Sequence, residues 1–473
     1  MIFGRNLSTL RTKLWPWVIV ATVVVFGVAT WYAIRFAALP FQAATGFVSH
    51  TMCSGTFVSE LHPDRVYGDV LRPMTGIKEI ASALSYEVDT SRREAKARLF
   101  GLFESTAVFR EGRGCSLVRG DETEHVPSGP RASGEQQFVV HPSSEMPEPS
   151  VTEPGDERVL AALDRAFAEP DQYVLRRTAA IVVMRDGRVV AERYAPGYRA
   201  DTALLGWSAT KSVVNALIGI LVRKGLLSVD SPAPVPQWRD PNDPRHALTI
   251  DHLLRMTSGL DIDENNGEYD AVTRMLFVES DMAGFAERAK LKVQPGTKWY
   301  YTSGNTLILS RIIRDAVGGH AGDVLAFAHR ELFEPLGMRK VTLEFDAADT
   351  LIGSTYMYAS VRDWARFGML FAYDGVVSGR RILPDGWVSY SASQTLDSPY
   401  AAGFWLGSNR WRTRWRVPSD AFFASGLLGQ RVMVIPSERL VIARFGNAHG
   451  PGNDREGFGQ LVSDVVEAFR QAR

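Results

Sequence analysis

Along this chain the hydrophobic positions change rhythm several times, and each rhythm predicts a different element. From Leu14 to Ile34, "LWPWVIVATVVVFGVATWYAI", no charge interrupts the run. As a helix it spans roughly 30 Å, the thickness of a bilayer core. Arg5, Arg11 and Lys13 precede it without an acid, and Arg35 ends it. Such flanks favour an N-terminus inside and the remaining chain outside. A cleaved signal peptide has a shorter apolar region and a small-residue cleavage site, which "FAALPFQAA" matches poorly. The expectation is a retained transmembrane anchor within residues 1–40.

Residues 41–140 mix short apolar segments with stretches read as helical, such as "IKEIASALSYEV" (Ile77–Val88), and predict a small membrane-proximal region. Residues 141–157, "HPSSEMPEPSVTEPGDE", hold four prolines and five acids with no apolar period, the composition of a linker or of a strand wrapped along a surface. Beyond 157 the rhythm becomes regular. Val159–Ala168 reads as a short helix. Ala179–Met184 and Arg188–Tyr194 flank Asp186-Gly187, a strong hairpin signal. Arg431–Ile435 and Leu440–Phe445 form a second such pair. In the last stretch Phe458, Leu461, Val465, Val466 and Phe469 fall on one helical face. The sequence between the hairpins is mostly helical. Residues 158–473 therefore predict an α+β domain, with an antiparallel sheet built from both ends, terminal helices upon it and a helical insertion.

One predicted helix carries candidate chemistry. "GWSATKSVVNALIGILVRKG", Gly206–Gly225, is apolar on every face after Lys211, so it should be buried, with Gly225 as its C-terminal cap. Ser208 and Lys211 stand three apart at its start, hence one turn apart on one face. A desolvated lysine has a lowered pKa and can take the serine proton, while the helix N-terminus favours the oxyanion formed during attack. The plainer alternative has Ser208 capping the helix and Lys211 snorkelling. Ser-x-x-Lys alone is weak, since roughly one is expected by chance in a chain this long. The flanks also lack the second glycine of a G-x-S-x-G elbow.

Two later stretches raise its weight. "PGTKWYYTSGN" (Pro295–Asn305) places Tyr301 and Ser303 before a predicted helix, with Asn305 as its expected cap; Tyr301 alone would read as an aromatic packed beside Trp299 and Tyr300. "FFASGLLGQRVMVIP" (Phe422–Pro436) puts Ala424-Ser425-Gly426 at the opening of the second hairpin. With "HLLRMTSGLDIDE", "YMYASVRDWARFGMLF" and "GRRILPDGWV", these stretches resemble the class C β-lactamase-related, penicillin-binding-protein-like serine hydrolases, and within them the 6-aminohexanoate-dimer hydrolase type of esterase and amidase. The resemblance runs from about Val159 to the end. It implies a serine β-lactamase-like α/β sandwich bearing an all-helical region, with the active site between them. It also implies Ser208 as nucleophile, Lys211 as its proton partner, Tyr301 as proton shuttle to the leaving group, and Ser303 as the polar residue two places on. The oxyanion hole would use the N–H groups of Ser208 and Leu427, the latter just after Gly426. Tyr269, in "ENNGEYD", loosely matches a substrate-contacting tyrosine of the amide-cleaving branch; as a plain sequence position it reads as a loop residue. Penicillin-directed members carry Lys or His where this chain has Ala424, so ester or amide hydrolysis is favoured over β-lactam or D-Ala-D-Ala cleavage.

Composition narrows the rest. Lys plus Arg and Asp plus Glu each number 53, so the net charge is zero and no nucleic-acid partner is indicated. Cys53 and Cys115 are the two cysteines; outside the cytoplasm an even count favours a disulfide over buried thiols. The histidines show no metal-ligand spacing and no Gly-rich phosphate loop appears, so neither metal nor other cofactor is expected. The combined expectation is a single-pass membrane protein with a periplasmic or otherwise extracytoplasmic catalytic domain. It would cleave a small-molecule ester or amide through an acyl-enzyme on Ser208. The rival readings are a non-catalytic envelope sensor or scaffold, and a β-lactamase or D-Ala-D-Ala peptidase.

Overall fold

In the structure, a computed structural model, the chain is described over residues 38–118, 156–170, 175–265 and 269–471, with positions 20, 22 and 24. The apolar run Leu14–Ile34, apart from those three positions, and residues 141–155 of the expected linker lie outside the described residues. Among the described residues no helix is long and apolar enough to cross a membrane.

Helix α1 covers residues 38–57 and packs on an antiparallel sheet of β1 (Leu84–Asp89), β2 (Glu94–Leu99), β3 (Phe103–Arg110) and β4 (Gly114–Leu117). The stretch read as helical, Ile77–Val88, is helical only over Ile77–Ile80 and then becomes β1. Leu84, Tyr86 and Val88 alternate with polar residues, a period of two that overrides local helix propensity once β2 offers pairing. Val48, Met52, Ala95, Ala97 and Ala107 share the core of this unit, and Cys53 of α1 is disulfide-bonded to Cys115 of β4.

The large domain follows the predicted plan. Helix α2 is Glu157–Phe167, and β5 (Thr178–Arg185) turns into β6 (Arg188–Tyr194) through Asp186 and Gly187, both at positive φ as the tight hairpin requires. Helix α3 is Thr210–Arg223, α4 is Ser303–Val317 and α5 is Val361–Ala372. Strands β7 (Phe422–Ser425), β8 (Arg431–Ile435) and β9 (Leu440–Gly446) precede the terminal helix α6 (Arg455–Gln471). Among the described residues the central sheet runs β7-β8-β9-β5-β6, antiparallel throughout, so the first and last hairpins meet where β9 pairs β5.

The alternation of side chains assigns the two faces of that sheet. Ile181, Val183, Met433 and Ile442 face α2 and α6, meeting Val159, Leu163, Phe458, Leu461 and Val465. Val182, Met184, Val432, Val434 and Val441 face α5 and the helical region. A Cβ on Gly368 of α5 would lie 2.7 Å from Val441, so glycine there lets helix and sheet approach closely. Helix α3 is buried along almost its whole length and Gly225 beyond it has φ +70°, as its pattern required. Its front end emerges between sheet and helical region.

Candidate active site

Ser208 lies in a single 3-10 turn, Trp207–Ala209, leading into α3. Trp207 has φ +48°, a left-handed conformation that bulky residues avoid and that persists only where the surroundings enforce it. Here the Gly206 N–H donates to the Met357 carbonyl at 2.9 Å and the Ala209 N–H to the Gly206 carbonyl at 3.1 Å. The Trp207 ring also packs against Phe47 of α1, centroids 6.2 Å apart. The N-cap position of α3 belongs to Ala209, and no side chain caps it, so Ser208 is not a helix cap.

Lys211 spends its three protons inside the site. Its Nζ donates to Ser208 Oγ at 3.1 Å, Ser303 Oγ at 3.1 Å and the Ser354 carbonyl at 2.9 Å. It also lies 5.0 Å from the centre of the Tyr301 ring. Burial pushes its pKa down from 10.5 to about 8, against the opposing pull of the Glu264 carboxylate. Tyr301 shifts the other way. Burial, then the Glu264 charge and Tyr400, hold its phenol well above 10, while a hydrogen bond with Ser208 pulls it back. At neutral pH Tyr301 is a phenol rather than a phenolate.

Helix α4 delivers Ser303 by its own capping. Thr302 Oγ1 accepts from the Gly304 N–H at 3.3 Å, which sets Ser303 at the first helical position. The expected cap, Asn305, instead sits inside the helix and accepts from Ser258 Oγ at 2.8 Å. The Ser303 N–H donates to Glu264 Oε2 at 2.5 Å. Glu264 thus acts on Lys211, Tyr301 and Tyr400 together. Sequence reasoning missed it, because nothing in "DIDE" separates it from Asp261 and Asp263.

The end of β7 abuts the Ser208 turn. A Cβ on Gly426 would stand 2.1 Å from the Gly206 carbonyl oxygen, yet the Gly426 backbone is extended, so glycine is required there by close approach and not by torsion. Arg431 Nη1 donates to the Gly426 carbonyl at 2.7 Å, and Gln430 Nε2 to the Leu427 carbonyl at 3.1 Å. Because a trans peptide sets C=O and N–H on opposite sides, holding the Gly426 carbonyl fixes where the Leu427 N–H points.

Trp299, Tyr301, Tyr400 and Trp405 form an aromatic wall with ring centres 5.0 to 6.5 Å apart. The Tyr400 hydroxyl and Trp299 Nε1 are buried and meet no protein partner among the described residues. Tyr269 stands apart, 38% exposed, with Arg274 and Glu279 as its charged neighbours. The structure therefore gathers Ser208, Lys211, Tyr301 and Ser303, sets Gly426 and Leu427 beside them, and leaves Tyr269 on a loop. Among the described residues no group of three or more His, Cys, Asp or Glu is placed to hold a metal ion.

The pattern of the beta-lactamase family matches residues 163–466, well over half of the chain. The chain belongs to the beta-lactamase family. It is 24% identical over 299 residues to the 6-aminohexanoate-dimer hydrolase of Paenarthrobacter ureafaciens, covering 58% of this chain and 74% of that protein. Two of the solved structures that share its fold illustrate the likeness. One, a Bacillus anthracis protein of the 6-aminohexanoate-dimer hydrolase type, has a TM-score of 0.54 at 21% identity, over 63% of this chain and 80% of the other. The other, a penicillin-binding protein homologue from Caulobacter crescentus, has a TM-score of 0.53 at 19% identity, over 67% and 98%. This family member is a serine hydrolase.

Proposed function

We propose that the protein is a membrane-anchored, extracytoplasmic esterase or amidase that turns over small substrates through an acyl-enzyme on Ser208. The observation that carries this reading is the contact between Lys211 Nζ and Ser208 Oγ, 3.1 Å, with the lysine pKa lowered to about 8 by burial. Neutral Lys211 takes the Ser208 proton as the oxygen attacks the carbonyl carbon. The N–H groups of Ser208 and Leu427 receive the developing oxyanion. Tyr301, a phenol beside Lys211, hands a proton to the departing alcohol or amine. Water then enters, loses its proton along the same route and releases the acid.

The aromatic wall favours an uncharged, largely apolar group beside Ser208. Ala424 brings no cation to the strand opposite. In "NRWRTRWR", Arg412 is tied to the carbonyls of Leu406, Ala421, Pro418 and Ser419, so it serves its own loop. Both favour plain esters and amides over carboxylate-bearing β-lactams. The disulfide fits an oxidising compartment, and the uncharged run Leu14–Ile34 supports an anchor with the domain outside.

Ser208→Ala is the decisive test. It should leave the thermal transition in place while abolishing short-ester hydrolysis and covalent labelling by a fluorophosphonate. Wild-type labelling at a different serine would overturn the assignment.

A further inference from the structure

The turn between β2 and β3 exposes apolar surface that its own geometry does not call for. Phe100 is 57% exposed and Leu102 81%, and nothing lies within 4 Å of where a Gly101 Cβ would be. Phe100 and Gly101 both have positive φ, at +55° and +67°, which Asn or Gly serves without an aromatic ring. Among the described residues the large exposed hydrophobics are Val20, Val24, Phe100, Leu102, Leu226, Tyr269, Tyr373 and Leu396. The last four are widely separated in sequence, and scattered single residues are ordinary on protein surfaces. The first four belong to the N-terminal apolar run or to this turn.

The turn sits where that run joins the fold. Phe41, in the first turn described for α1, packs against Phe100 and Phe103, with centroids 5.9 and 4.9 Å apart. Phe41 follows Ile34 by seven residues, a reach of at most ~25 Å fully extended and about 10 Å along a helix. A bilayer holding Leu14–Ile34 therefore has its surface within reach of Phe100 and Leu102. The neighbouring cation, Arg98, is already paired with Glu104 and faces Glu87 at 3.9 Å, so it is not available to an anionic headgroup.

We propose that the Phe100–Leu102 turn inserts into the interfacial layer of the bilayer as a second membrane contact, beyond the anchor on which this inference rests. Interfacial elements bury apolar side chains roughly 5–10 Å deep, and with the nearby Arg98 already paired the driving force is apolar. A single anchor leaves a domain free to swivel; two contacts fix its orientation. Because Phe47, six residues further along α1, touches Trp207, the turn also sets the height of the Ser208 turn above the membrane.

The test uses the full chain in phosphatidylcholine vesicles. Its two native cysteines are joined, so Leu102→Cys supplies one thiol for an environment-sensitive fluorophore, with Leu396→Cys as the exposed control and Phe100→Cys as a second site. The dye at 102 and at 100 should emit further to the blue than at 396. It should also be quenched by lipids brominated near the headgroup, and no more strongly with anionic lipid than without it. Floating protein whose label at 102 behaves like that at 396 overturns the turn insertion alone. A shielded label that brominated lipid fails to quench shows protein over the turn and also overturns it. Protein that does not float with the vesicles overturns the anchor and the turn together.

Discussion

If neutral Lys211 is the base, kcat/KM for an uncharged ester must follow its deprotonation. Its pKa of about 8 leaves about one lysine in ten neutral at pH 7 and about nine in ten at pH 9, so the rate should rise about tenfold between them. The fall from 10.5 to about 8 corresponds to ~3 kcal/mol against the ammonium form, and with Lys211 only 2% exposed, solvent relieves little of it. Tyr301 stays protonated across this range and cannot produce the rise. Glu264 supplies the internal control. Its charge holds the lysine pKa up, so Glu264→Gln should move the midpoint to lower pH, while the amide oxygen still accepts from the Ser303 N–H. The assay is initial-rate hydrolysis of a short nitrophenyl ester over this pH span, reported as kcat/KM because that ratio reflects the free enzyme. A flat profile, or a midpoint that Glu264→Gln moves upward, would refute the assignment of Lys211 as base.

Three further outcomes follow from other contacts. Gly426→Ala must displace the end of β7 from the Gly206 carbonyl, so kcat should drop by about 10²–10³ with KM little changed; an unaffected kcat removes Leu427 from the oxyanion site. The Cys53–Cys115 bond spans 62 positions, so replacing both by Ser should cost about 4 kcal/mol, read as a lower urea midpoint; an unmoved midpoint contradicts it. Glu344 is buried where α1 and β4 meet the large domain, accepts from Ser54 Oγ and the Cys115 N–H, lies 3.3 Å from His50 Nε2, and has its pKa raised from 4.5 to about 8 by burial. The unfolded chain releases that proton near 4.5 and the folded one near 8, so this group's contribution to stability falls between those values and levels off above them. Glu344→Gln should therefore melt higher than wild type at pH 8 and converge with it near pH 4.5; a difference independent of pH would reject the reading.

Elements whose pattern is local could be read from the chain alone. The Asp186-Gly187 hairpin, the largely apolar α3 followed by Gly225 and the one-sided α6 follow from turn torsions and from the periods 2 and 3.6, which need no distant partner. Ser208 and Lys211 were legible as a weak motif at a helix start, whereas Tyr301 and Ser303 gained their roles only through the resemblance of the surrounding stretches to the family. Pairing decided where local rules failed. Half of Ile77–Val88 became a strand because β2 was there to bond it, and Asn305 gave its cap position to Thr302 because Ser258 bonds its side chain from another segment. Only the tertiary structure brought Glu264 to Lys211 and Tyr301, pressed Phe47 against Trp207 and seated Glu344 behind the disulfide. These are contacts between residues far apart in sequence, and their effect depends on burial. A carboxylate's field is weak in water and strong where solvent is excluded, and that exclusion belongs to the packed molecule, not to any stretch of its chain.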